Sequence, residues 1–76
     1  MDSDDLVMMS LARKAGSGEG RALRLAAEVS LREAADCLGI SSASLSRYER
    51  GLNRPKGRRA IEYGRLLGLW MVAANA

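Results

Sequence analysis

Seventy-six residues, 47% of them apolar, suffice for one small packed domain and are too few for two. Cys37 is the only cysteine and histidine is missing, which excludes an internal disulfide and a thiolate or imidazole metal site, and no cofactor is expected. The net charge is +3, but residues 47–59 hold Arg47, Arg50, Arg54, Lys56, Arg58 and Arg59 against Glu49 alone, a local +5 that suits a polyanionic partner.

Leu and Ala dominate and β-branched runs are missing, which favours helix throughout. A first helix is expected from about Asp4 to Lys14, with Ser3 as N-cap and Asp4 and Asp5 where the helix dipole favours acids. The run Ala15 to Gly20 breaks it and reads as a flexible hinge, so residues 1–18 form an N-terminal extension and residues 19–76 the main domain. A second helix runs from Glu19 or Arg21 to Glu28, with Leu23, Ala26 and Ala27 on its apolar face.

A third helix opens at Ser30. Ser30 and Glu33 have the spacing of a capping box, Ala34, Ala35 and Leu38 make the buried face, and Gly39 ends the helix. Three residues later a fourth helix begins, capped by Ser41 and closed by Gly51, with Leu45 and Tyr48 facing inward. Leu52 to Gly57 is a basic loop. A fifth helix spans Arg58 to Leu67, with Ala60, Ile61, Gly64 and Leu67 on one face; Gly68 is expected to break it before a short last turn from Leu69 to Ala74.

Two short helices joined through a glycine turn must cross steeply, which leaves the second standing proud of the surface. A protruding helix fits the major groove of double-stranded DNA. Its outward side is small and polar, with Ser42, Ala43, Ser44, Ser46, Arg47 and Arg50. Short side chains let the backbone approach base edges, and the helix N-terminus attracts phosphate.

Residues 21–68 resemble the Cro/repressor-type (Xre) helix-turn-helix domain of phage and bacterial regulators. The string from Val29 to Gly51 carries the resemblance, with Ala35 where the two helices touch, Gly39 at the turn, Ile40 and Leu45 in the core, Ser46 to Gly51 ending the recognition helix, and Asn53-Arg54-Pro55 following it. Leu31 departs from the pattern, standing where many members carry Gln. The resemblance implies an all-α, five-helix, lambda-repressor-like bundle with an extra N-terminal helical extension. It also implies base reading by Ser42, Ala43, Ser46 and Arg47, and phosphate contacts by Ser30, Ser44, Arg50, Asn53, Arg54 and Lys56. The backbone amides of Ser30 and Leu31 remain candidates for a phosphate contact that Leu31 cannot make through its side chain.

Other motifs read blandly. Gly16 to Gly20 lacks the Lys-Ser/Thr ending of a phosphate loop. The serines have no histidine to activate them, so no enzyme is expected. Cys37 reads as a small hydrophobe on the inward or half-buried side of its helix, and Glu49 as an ion-pair partner of a nearby Arg. Met8, Met9, Leu11 and the apolar run from Leu66 to Val72 either pack the first helix on the last or form a homodimer surface. Paired half-sites about 34 Å apart would require such pairing, here or on the DNA itself. No run is long enough for a membrane span, and the acidic start is wrong for a secretory signal, so the expected location is cytoplasmic. The expected function is a small sequence-specific repressor of phage or mobile-element type, with no membrane or small-molecule partner. The competing function is a protein-interaction adaptor or antitoxin that reuses the fold.

Overall fold

The computed structural model describes residues 2–75. Five α-helices and one 3-10 turn make up its regular structure, and no strand occurs among the described residues: α1 Ser3–Lys14, the turn Ala15–Ser17, α2 Glu19–Ala26, α3 Leu31–Leu38, α4 Ser42–Glu49 and α5 Gly57–Ala74. The fold class is therefore all-helical, as composition and periodicity require.

Local capping chemistry explains most boundaries. Asp2, not Ser3, caps α1, its carboxylate accepting from the Asp5 amide at 2.9 Å. The capping box of α3 forms in both directions, Glu33 N–H to Ser30 Oγ and Ser30 N–H to Glu33 Oε1, each 3.0 Å. Helices α2, α3 and α4 then end alike. In each, an amide just past the cap reaches back to the carbonyl five residues earlier: Val29 to Arg24, Ile40 to Ala35, Leu52 to Arg47. That closure requires a left-handed residue. Gly39 and Gly51 supply it with φ of 66° and 74°, whereas α2 uses Glu28 at φ 59°.

The core is built from small and medium side chains: Ala12, Ala15, Ala34, Ala35, Leu38, Leu45, Ala60 and Leu67, closed by Tyr63 and Trp70. The terminal helices pack on each other. At their crossing Gly64 of α5 lies directly against the Met8 carbonyl of α1, with no room for a Cβ between them. Gly68, by contrast, faces open space, and α5 runs through it without interruption to Ala74. The break expected there does not occur, because the helix already has the packed face of Tyr63, Leu67 and Trp70 to hold it in register. Residues 15–18 are likewise not a free hinge. Ala15–Ser17 form the 3-10 turn, Gly18 caps it, and Gly16 packs on the backbone of Gly51.

On α2 the packed face is Gly20, Leu23, Arg24 and Ala27; Ala26 points to solvent. Cys37 is exposed rather than tucked inward. The Tyr63 hydroxyl is buried against Gly20 without a hydrogen-bond partner among the described residues, and that burial pushes its pKa well above the usual phenol range.

Candidate nucleic-acid interface

Helix α4 is held from behind and open in front. Leu45 is fully buried and Glu49 nearly so, four residues apart on the docked side. Ala43, Arg47 and Arg50 are exposed on the opposite side, and no part of the described chain covers them. Ser42 and Ser46 flank that face half-buried. Of the four expected base readers, Ala43 and Arg47 are thus fully presented, and Ser42 and Ser46 line the shoulder of the helix.

The acid of α4 is neutralised internally. Arg24 of α2 donates to Glu49 through Nε at 2.7 Å and Nη2 at 3.2 Å, a bidentate pair with side chains only 7% and 4% exposed. The third arm, Nη1, donates to the Val29 carbonyl at 3.0 Å, which fixes the chain between α2 and α3. Glu49 does pair with an arginine, but with one from a different helix and 25 residues away. Arg47 and Arg50 are therefore left without an ion pair among the described residues. One member of the basic run, Arg59, turns inward: its Nη1 donates to the Leu38 carbonyl at 2.6 Å, where the dipole of α3 presents negative charge. Of the basic run 47–59, Arg47, Arg50, Arg54, Lys56 and Arg58 consequently remain exposed.

The loop after α4 hangs on Arg47. Its carbonyl accepts from the amides of Leu52 at 2.9 Å and Asn53 at 3.4 Å. Asn53, Arg54 and Lys56 are exposed, and Pro55 is buried as the anchor of the loop. At the start of α4, Ser41 Oγ accepts from the Ser44 amide at 3.1 Å and donates to Ser44 Oγ at 3.0 Å, so the Ser44 hydroxyl keeps its own proton for an acceptor outside.

Ser30 stands apart from this group, since its amide and hydroxyl are both bonded to Glu33. Its hydroxyl can still donate. Its amide cannot, because Glu33 Oε1 occupies it, and the same bonds pull the Glu33 pKa below its ordinary value and keep a carboxylate at this helix start. The Ser30 amide is thus engaged within the chain, which leaves the hydroxyl as the group at this position free to donate.

A family model described as a helix-turn-helix domain matches residues 21–73. The chain belongs to that family. No curated protein and no solved structure matches it. The matched segment takes in most of α2, all of α3 and α4, the basic loop and nearly all of α5, and leaves out α1. A helix-turn-helix domain of this shape, with a cationic outward face, fits binding to DNA. No helix among the described residues is long and apolar enough to cross a membrane.

Proposed function

We propose that this protein is a sequence-specific double-stranded-DNA-binding transcriptional regulator, a small repressor of the Cro/Xre type found in phages and mobile elements, which acts by occupying a promoter. Helix α4 enters the major groove, with Arg47 bonding a guanine edge and Ala43, Ser42 and Ser46 shaping the fit to neighbouring bases. Ser44, Arg50, Asn53, Arg54 and Lys56 grip phosphates on either side, and Ser30 adds its hydroxyl. The observation that carries the reading is the exposed Arg47, without an ion pair among the described residues, on a helix whose own carboxylate has been turned inward and neutralised. A bidentate Arg–guanine contact discriminates by roughly 1–3 kcal/mol.

In vitro selection on random duplex DNA tests this. A recurrent motif supports the reading, and a palindrome within it would assign two copies to one operator. Arg47→Ala should lose binding to that motif while retaining weak non-specific binding; equal loss on both would remove Arg47 from base reading. The exposed apolar side chains Leu6, Val7, Leu69 and Val72 favour a second reading, a protein-binding adaptor. That reading is supported instead if selection enriches nothing and a stoichiometric protein partner survives nuclease treatment.

A further inference from the structure

Helix α1 lies outside the matched residues, yet the turn that ends it packs on the residue that closes α4. The contact is backbone on backbone. A Cβ on Gly16 would come within 2.9 Å of the Gly51 Cα, and a Cβ on Gly51 within 2.7 Å of the Gly16 carbonyl oxygen. Gly51 is the residue that turns the chain out of α4, so the end of α1 is positioned by the recognition helix itself.

This junction forms one wall of an open cleft of about 570 Å³. Arg13 and Lys14 line it from α1, and Asn53 and Arg54 from the loop. Three cations stand there against a single carboxylate, Glu19, the first residue of α2. Arg13, Lys14 and Arg54 are all exposed, and none has a side-chain hydrogen bond or ion pair among the described residues. Two of the cleft residues, Asn53 and Arg54, belong to the loop already assigned to phosphate.

Cations in the last turn of a helix also interact favourably with its own dipole. That role accounts for Arg13 and Lys14 singly. It does not account for a third free cation facing them from another element. Part of the demand at this helix end is already met, because the Ser17 hydroxyl donates to the Lys14 carbonyl at 3.0 Å.

We propose that Arg13 and Lys14 form, with Asn53 and Arg54, a second grip on the sugar-phosphate backbone of the duplex that α4 reads, so that the N-terminal helix lengthens the footprint on one flank. This rests on the reading of α4 as a DNA-binding helix. The ligand is a run of backbone phosphate, and the contact carries no sequence preference of its own.

The test compares wild type, Arg13→Gln/Lys14→Gln and Arg54→Gln on a fluorescent random-sequence duplex of about three helical turns, ~30 base pairs. Anisotropy titrations between about 50 and 200 mM salt give the slope of log affinity against log salt. Each phosphate that is no longer neutralised makes that slope shallower by about 0.9, so the double variant should fall short by between one and two such steps and Arg54→Gln by about one. On a duplex carrying the motif recovered by selection, a hydroxyl-radical footprint of the double variant should shorten beside each bound copy on one flank only.

An unchanged slope and footprint in a folded double variant would overturn the proposal and leave the reading of α4 intact. A weaker affinity at unchanged slope, together with a lower melting temperature, would also overturn it, assigning the pair to capping α1. Wild type that binds no duplex at low salt overturns the DNA-binding reading itself. Should the double variant fail to fold, Lys14→Gln alone carries the test, with one step of slope expected.

Discussion

Replacing Gly64 by Ala should destabilise the protein, although helix propensity argues the opposite. Both Gly64 and Gly68 lie inside α5, and glycine in a helix interior costs about 0.8–1.0 kcal/mol relative to alanine. On propensity alone either substitution would stabilise. The two sites differ in what a methyl group would meet. At Gly68 it meets nothing within 4 Å, so Gly68→Ala should gain about 1 kcal/mol. At Gly64 it falls on the Met8 carbonyl, and rigid backbone rather than a flexible side chain must give way. Overpacking costs about 1–3 kcal/mol, and a collision with backbone belongs at the upper end. With the propensity gain set against it, Gly64→Ala should lose about 2 kcal/mol. The two variants would then differ by roughly 3 kcal/mol, which for a domain of this size is at least about 12 °C in melting temperature. The total stability expected for such a chain is about 4–11 kcal/mol, so both variants remain measurable. Urea unfolding followed by the emission of Trp70, which is 4% exposed, reads both. A Gly64→Ala protein as stable as wild type, or more so, would refute the close crossing of α1 and α5.

Three further outcomes follow from named contacts. Removing either member of the Arg24–Glu49 pair leaves a buried charge unmatched, so Arg24→Met or Glu49→Leu should each cost about 3–5 kcal/mol. Arg24→Met with Glu49→Leu should cost less than the two singles together, and a double-mutant cycle that closes additively would contradict the pairing. Glu28→Gly should raise the denaturation midpoint by relieving a left-handed non-glycine residue; such strain is worth about 1–2 kcal/mol before the entropy glycine adds to the unfolded chain, and an unchanged midpoint would count against the φ of 59°. The Glu33 pKa lies below its ordinary 4.5 through its bonds to Ser30, so its share of stability is complete above that pH and fades as acid protonates the folded form. The stability difference between wild type and Glu33→Gln should therefore shrink as pH falls below about 4.5, whereas a constant difference from about pH 6 to about pH 3 would dissociate Glu33 from the capping box.

Much of this was legible in the sequence where the physics is local. Ser30 and Glu33 satisfy each other across one helical turn, and Gly39 and Gly51 answer a backbone requirement set by the residues just before them. Neither depends on the rest of the fold. The misread features are those decided at long range. Arg24 looks like any solvated helix cation until Glu49 arrives from 25 residues away. Gly64 and Gly68 are identical as letters; only the position of Met8 separates a packing glycine from a tolerated one. Arg59 counted with the outward bases because nothing in its neighbourhood reveals the Leu38 carbonyl. The exposed face of α4 was readable because it is defined by what remains after the apolar positions have been assigned inward. The cleft beside Arg13 and Lys14 was not, since it exists only once Gly16 meets Gly51.

The buried pair behind α4 separates two duties around the circumference of a single eight-residue helix. Leu45 and Glu49 moor it; Ala43, Arg47 and Arg50 look outward and contribute nothing to the mooring. Selection can therefore rewrite the outward letters to suit a new target while the scaffold keeps its stability, with the Arg24 side chain acting as the fixed socket into which each rewritten helix is seated.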